Sequence, residues 1–568
     1  MSLRRASVGP RRVAVALALR LAVGAAVGAG TAETAAAAAA AASTAAPAAG
    51  PGQPCRLDGL PQSARCGVVK RPLDPAQPQS VLIDVHYAVV PALARHKAGD
   101  AVFFFAGGPG QSAIDLAGPL AARYGRLNQQ RDLVFIDQRG TGRSAPLKCA
   151  DDDERAALLP LAERADEAQR LPRLHACRQA LQALPYGDLR FFTTELASGD
   201  VDAVRQALGV PRLNAIGASY GTRAVLDYQR QFPAHVRRAV LDGVAPPDMR
   251  LADTAARDNQ AAFEALLAAC AAEPACARRH PQLRAQWAAL LAGLPRPVQL
   301  PHPVNGRIET ITLQRDTLLA LVRAPLYAPI LASALPMAID EATAGRWAPL
   351  AALAQAMGGS GAAGMFTGMH FSVVCAEDLG PGAPTNSAAG AAGAAATAVP
   401  ATTAATTAAT AGTTAGTTAA ITAAITAAIT AAITTPGNDF GDSFARLYRA
   451  VCADWPRGAV SPAFYTMVTA TAPVWLMSGG LDPVTPPRHA ERVARALGPK
   501  ARHIVVNNAG HGVAALGCVR DAVMRFITTV DDAEALAGDA GCAAKVPRPP
   551  AFVPPGARAL PAATGASR

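Results

Sequence analysis

Short apolar runs punctuate the chain: "SVLIDVHYAVV" (80–90), "AVFFFAGG" (101–108), "DLVFIDQ" (132–138), "RLNAIGA" (212–218), "RRAVLDGV" (237–244), "APVWLMSGG" (472–480) and "ARHIVVNNAG" (501–510). Several are continuous rather than alternating, which is the pattern of strands buried on both faces. Stretches of helical period alternate with the later runs, at 196–208, 221–232, 487–497 and 517–529. This strand–helix alternation predicts an α/β protein, with a mostly parallel central sheet and helices on both faces. Between 248 and 471 the pattern becomes mainly helical, as in "DTAARDNQAAFEALLAACAAE" (253–273). That segment reads as a lid inserted between two strands, which divides the core into residues 55–247 and 472–544.

Inside the lid, residues 381–437 form a low-complexity tract, with no charged residue between Asp378 and Asp439. It ends in a four-residue repeat that places Ile421, Ile425, Ile429 and Ile433 in register. The composition predicts a disordered loop rather than a packed helix. An Ala/Thr/Pro linker occupies 33–54, and the Pro-rich tail at 545–568 is also expected to be mobile.

The chain has 568 residues, of which 51% are hydrophobic and only 17% charged, with a net charge of +11. No dense Lys/Arg run with interleaved aromatics is present, so the positive excess is not a nucleic-acid footprint. Part of that excess is the cluster Arg4, Arg5, Arg11 and Arg12, followed by "VAVALALRLAVGAAVGAGTA" (13–32). A basic start, an apolar stretch and small residues at its end predict a secretory signal peptide over 1–32, cleaved near Ala32. Arg20 interrupts the apolar run, Arg11-Arg12 leaves a twin-arginine route open, and an uncleaved anchor is the competing reading of the same segment. With cleavage, the mature protein is expected to be secreted or periplasmic, without a stable membrane anchor.

The cysteines agree with export. There are ten, none in a Cys-x-x-Cys pair, which argues against zinc ribbons and thioredoxin chemistry. Pairing of sequence neighbours predicts bridges 55–66, 149–177, 270–276, 375–452 and 518–542, each worth roughly 2–4 kcal/mol in an oxidising compartment.

The chemistry centres on "LNAIGASYGTRAVLDY" (213–228). A strand-like run enters Gly217-Ala218-Ser219-Tyr220-Gly221 and a helix-like run leaves it, the context a nucleophile elbow needs. A serine hydroxyl needs a base, and the base needs an acid to orient it. Asp482 follows one strand in "GLDPVTPP", and His511 follows the next in "AGHGV". The chain order Ser219, Asp482, His511 is that of an α/β-hydrolase triad. Asp242, in "VLDGV", is the rival acid and is expected to be structural. The oxyanion donors are expected to be the backbone N–H groups of Tyr220 and of Gly108, the latter in "AGGPGQS" (106–112). No metal constellation and no cofactor fingerprint is seen.

Taken together, "GGPG" (107–110), "DQRGTGRS" (137–144), "GASYG" (217–221), "SGGLDPVTPP" (478–487) and "GHG" (510–512) span about residues 55–540. The set resembles the secreted α/β-hydrolase peptidases of the proline iminopeptidase and tripeptidyl aminopeptidase family. One departure is Ala106, where the cytoplasmic iminopeptidases have His. The resemblance implies a Ser-dependent exopeptidase acting on peptide substrates near their free N-termini. It also implies acidic lid residues that hold the substrate ammonium group, for which Glu377 and Asp378 in "VVCAEDLG" are the candidates. Asp137 and Arg139 are expected to brace their loop. Two other readings use the same residues: an esterase or lipase-like enzyme with the same triad, and a binding module without turnover.

Overall fold

A computed structural model describes residues 52–358, 364–383 and 438–554. The expected signal peptide and most of the low-complexity tract lie outside the described residues. Each of the seven apolar runs contains a strand: β3 (Leu82–Val90), β4 (Ala101–Phe105), β5 (Leu133–Ile136), β6 (Leu213–Ala218), β7 (Val236–Asp242), β10 (Val474–Gly479) and β11 (Ala501–Val506). Two further strands, β1 (Gln53–Cys55) and β2 (Ala64–Pro72), complete a nine-stranded sheet in the order β1-β2-β3-β5-β4-β6-β7-β10-β11. From β5 to β11 every neighbouring pair is parallel, and β1, β2 and β3 add antiparallel pairs at one edge.

The central strands are buried on both faces, which explains their continuous apolar runs. In β4, Phe103 and Phe105 pack into one core with Val225 and Val493, from the helices Tyr220–Gln231 and Pro487–Leu497. Their neighbours Val102 and Phe104 pack into the opposite core with Val523 and Phe526, from the helix Gly517–Thr528. This is the period-2 alternation of a strand with helices on both sides. Local signals bound these helices. Tyr220–Gln231 stops just before Phe232-Pro233, since a residue preceding proline avoids helical geometry. Pro487 opens the next helix as its first residue and Gly498 closes it at φ 78°.

The chain leaves the sheet after β7 and returns at β10, its parallel neighbour. The intervening segment is mainly helical, beginning with Leu251–Ala272, and much of it gathers around a separate core containing Phe263, Trp287 and Leu318. It also contains a hairpin, β8 (Arg296–Pro301) paired with β9 (Ile308–Leu313), which the helical reading of the lid had not included. Val298, Leu300, Ile311 and Leu313 face its core at alternate positions, and Asn305-Gly306 lies in the connection with Gly306 at φ 71°. Both are hairpin signals.

Two boundaries also differ from expectation. Gln53 and Pro54, at the end of the expected linker, pair in β1. The first part of the expected mobile tail is tied down: the Val546 carbonyl accepts from Asn508 Nδ2 at 2.9 Å, and Phe552 N–H donates to the Ser333 carbonyl at 3.0 Å. Backbone groups decide this, and composition does not report them. All ten cysteines pair as the sequence predicts, with Cα–Cα distances of 5.8, 5.2, 5.1, 5.1 and 6.4 Å in chain order.

Candidate active site

Ser219 leaves β6 at φ 55° and ψ −125°, a conformation that L-residues avoid. The flanking glycines make the turn possible. A Cβ on Gly217 would lie 2.5 Å from the Gly221 carbonyl oxygen, and one on Gly221 would lie 2.1 Å from the Phe105 carbonyl oxygen. Strand and helix therefore cross too closely for any side chain. Ser219 N–H donates to the Asp242 carbonyl at 2.8 Å, and the Ser219 carbonyl accepts from Thr222 N–H and the Thr222 hydroxyl at 2.9 and 2.6 Å. Its own side chain makes no capping bond to the helix it begins.

At the carboxyl end of β10, Asp482 is fully enclosed. Its Oδ1 accepts from the N–H groups of Val484 and Thr485, each at 2.8 Å. Its Oδ2 accepts from the Thr485 hydroxyl and pairs with His511 Nδ1, both at 2.8 Å. Burial pushes the Asp482 carboxyl up, but the charge and hydrogen bond of His511 outweigh it and leave the pKa below the usual aspartate value. Burial alone would lower His511, but the Asp482 charge and hydrogen bond leave its pKa above the usual histidine value. The Tyr327 carbonyl accepts His511 N–H at 2.9 Å, and the Tyr327 ring meets the imidazole edge-on at 5.2 Å.

The rival acid makes different contacts. Asp242 accepts from Val513 N–H at 2.8 and 2.9 Å and from Ala514 N–H at 2.8 Å, fixing the loop just after His511. Its carboxyl is raised by burial.

The loop after β4 runs beside Ser219. A Cβ on Gly107 would lie 3.3 Å from the Ser219 Cβ, and Gly108 adopts φ 110°. The Gly107–Gly108 backbone thus passes close to Ser219, and Tyr220 follows the serine as the first residue of its helix. The lid holds this loop from outside: Phe366 N–H donates to the Gly110 carbonyl at 2.9 Å, and His370 Nδ1 lies 3.3 Å from the Pro109 carbonyl. Asp137 accepts from the Ser112 hydroxyl at 2.6 Å and from Arg143 N–H at 3.2 Å, joining this loop to the one after β5. Arg139 is fully buried and donates to both oxygens of Asp200, at 2.7 and 2.8 Å. A cavity of about 830 Å³ has Met365 and His370 in its wall, both of which approach the Gly108–Gly110 loop.

Glu377 and Asp378 require a correction. Both are buried, each 1% exposed, and both are already satisfied. Arg223 Nη1 reaches Asp378 Oδ1 at 2.7 Å and Glu377 Oε2 at 3.4 Å. Glu377 also accepts from Thr194 N–H at 2.7 Å, and Asp378 from Leu251 N–H at 2.8 Å. Their cation is internal, so neither is open to a substrate's ammonium group. The sequence reading missed Arg223 in this role, although it stands four residues after Ser219. It also missed Thr485, whose spacing from Asp482 fits a side-chain-capped turn, and Tyr327 and His370, which come from the lid and carry no sequence signal.

Residues 100–323 match the family described as alpha/beta hydrolase fold, and residues 437–534 the one described as TAP-like protein. The first match contains Gly108, Ser219 and Tyr220; the second contains Asp482 and His511. The chain is 33% identical over 225 residues to a tripeptidyl aminopeptidase of Streptomyces coelicolor, covering 37% of this chain and 41% of that protein. It is 30% identical over 239 residues to the serine protease Hip1 of Mycobacterium tuberculosis, covering 39% and 45%. To the carboxylesterase B of Mycobacterium tuberculosis it is 29% identical over 227 residues, covering 38% and 43%. The matched stretches span less than half the length of these curated relatives. The sheet order, the turn at Ser219 and the match over residues 100–323 together give this chain the α/β-hydrolase fold, with a TAP-like segment at 437–534.

Proposed function

We propose that the protein is an exported serine exopeptidase that hydrolyses peptide bonds near the free N-terminus of its substrates. Ser219 is the nucleophile, His511 the general base and Asp482 the residue that orients it. The observation that carries this reading is the 2.8 Å contact between His511 Nδ1 and Asp482 Oδ2. It fixes the tautomer that presents Nε2 as a base, on a loop next in chain order to the acid. Ser219 Oγ attacks the scissile carbonyl while His511 takes its proton. The oxyanion is met by the N–H groups of Gly108 and Tyr220, each such donor being worth on the order of 10²–10³ in rate. His511 then returns the proton to the departing amine, and water resolves the acyl-enzyme by the same route.

Tripeptidyl aminopeptidase and serine protease relatives support peptide bonds as the target. Five disulfides support an oxidising compartment. Among the described residues, no helix is long and apolar enough to cross a membrane. The esterase reading is kept alive by the carboxylesterase relative, because the same triad cleaves esters. A panel of chromogenic amides with free and acetylated N-termini, run beside p-nitrophenyl esters, separates the two. A preference for the free amine of about tenfold or more is expected, the usual worth of a charge-assisted hydrogen bond. Equal rates on free and blocked amides, with faster ester cleavage, would replace the exopeptidase by an esterase.

A further inference from the structure

Two arginines on separate helices border one recess, which a larger cavity links to residues that approach the Gly108–Gly110 loop. Arg170 lies on the helix Glu167–Gln182 and Arg323 on the helix Arg315–Leu326. Both line a pocket of about 170 Å³, and Arg170 also lines the larger cavity of about 830 Å³ that reaches Met365 and His370 beside the Gly108–Gly110 loop. Among the described residues, neither guanidinium has a hydrogen bond or an ion pair within 4.0 Å; Arg323 only stacks on Phe444, 5.4 Å from the ring centroid. Two acids, Glu167 and Asp316, share the recess and their charges act on Arg170, but neither forms an ion pair with either arginine. Glu167 accepts from Thr317 N–H and the Thr317 hydroxyl at 3.1 and 3.0 Å. Asp316 sits in the first turn of its helix, where free N–H groups favour a carboxylate. Arg170 keeps an exposed surface; partial desolvation and the nearby charge of Arg323 hold its pKa below the usual arginine value, against the opposing pull of Tyr448, Glu167 and Asp316.

The recess is coupled to the chemistry at two points. Arg323 is one helical turn before Tyr327, whose ring and carbonyl contact His511. Tyr448, another residue of the cavity wall, hydrogen-bonds His370 at 2.8 Å, and His370 approaches the Pro109 carbonyl. The charges of Arg170 and Arg323 act on each other across the recess, and neither guanidinium fork is committed to a hydrogen bond among the described residues, which leaves both free for an incoming anion. A guanidinium fork suits a carboxylate in particular. The cavity size falls in the range of small-ligand sites, roughly 300–1,000 Å³.

We propose that Arg170 and Arg323 form a carboxylate-binding subsite, so that the preferred substrates are short peptides bearing an anionic group at a distance from the scissile bond. The carboxylate is either the peptide's own C-terminus or an acidic side chain. The proposal deepens the exopeptidase reading and rests on it for turnover, though not for binding.

Free-amine hexapeptides test it in two matched pairs, C-terminal acid against amide and internal Glu against Gln, with cleavage followed by mass spectrometry. For the full chain, kcat/KM is expected to favour the carboxylate by about tenfold to a hundredfold in at least one pair, chiefly through KM. An effect in the first pair alone identifies the C-terminus, and in the second alone the side chain. In the Arg170→Gln Arg323→Gln variant that ratio should fall toward one, while Arg170→Lys Arg323→Lys retains part of it. Ratios near one in both pairs, or a preference that survives the double Gln change, overturn the subsite. Binding is read separately by titration calorimetry of Ala-Ala-Glu and Ala-Ala-Gln-amide into the Ser219→Ala protein. Tighter binding of the acid, lost with the two arginines, is expected; equal affinities overturn the proposal. If the acid binds tighter but no peptide is cleaved by wild type, the subsite stands and the peptidase reading falls.

Discussion

At Ser219, backbone strain and the proposed nucleophile meet in one residue. A non-glycine residue at φ 55° and ψ −125° costs about 1–3 kcal/mol. Ser219→Gly is therefore expected to be more stable than Ser219→Ala by about 1 kcal/mol in thermal unfolding, while both lose activity by several orders of magnitude. The two aspartates should separate cleanly. Asp482→Asn removes the charge that orients His511, and kcat should fall by about 10⁴. Asp242→Asn keeps the triad but weakens three N–H contacts, so it should lose about 1–3 kcal/mol of stability and retain turnover. The pH profile follows from the same pair. The proposed base His511 can act only when neutral, and its pKa lies above the usual value of about 6.5. The acid limb of kcat/KM should therefore fall alkaline of 6.5. In Asp482→Asn the charge that favours imidazolium is gone, so the limb should move to lower pH.

Between elements, close contact and buried charge set the site. The helix after Ser219 meets β4 where a Cβ at Gly221 would sit 2.1 Å from backbone oxygen. Gly221→Ala should destabilise the fold by about 1–3 kcal/mol and lower kcat, because the helix can yield only by moving Ser219. One turn along that helix, Arg223 locks it to Glu377 and Asp378 in the lid. Burial pushes the Glu377 carboxyl up to about 7, with the Arg223 charge pulling it down. Arg223→Met leaves two buried carboxylates without their cation, which should cost about 3–5 kcal/mol. That loss should be largest at alkaline pH and shrink as pH falls, since protonation removes the uncompensated charge. Glu377→Gln with Asp378→Asn should likewise lower the melting temperature and leave any free-amine preference in place.

For the whole molecule, the lid is tied to a helix of the core by ion pairs and braced within itself by a disulfide. Arg492 pairs with Asp248, while Arg488 and His489 reach Asp258 on the lid's first long helix. Cys375–Cys452 joins the helix that carries His370 to the one that carries Tyr448, across 77 residues of sequence. Replacing both cysteines by serine should cost about 2–5 kcal/mol. Activity should decline at lower temperatures than in wild type, because the same helix abuts the Gly108–Gly110 loop. Residues 384–436 lie within that 77-residue span. Their composition offers little to pack, and replacing them with a short Gly/Ser linker should leave soluble protein with near wild-type Ser219 reactivity.

By itself, the sequence determined the sheet strands that carry the site, the elbow at Ser219, the order Ser219–Asp482–His511 and the five cysteine pairs. These depend on local pattern: apolar runs buried on two faces, glycines where backbone crosses backbone, and cysteines near their partners in the chain. The β8–β9 hairpin was legible too, in its alternation and its Asn305-Gly306 turn, but was submerged in an Ala-rich helical stretch. What only the tertiary structure decided is which charges meet. Glu377 and Asp378 carry the same negative charge whether they face a substrate or Arg223, and only the packing of the lid on the helix after Ser219 chooses between them. Tyr327 reaches His511, and Arg170 comes beside Arg323, from segments far apart in sequence. Contacts of that kind are set by how helices lie across the sheet, which no periodicity in a single segment encodes.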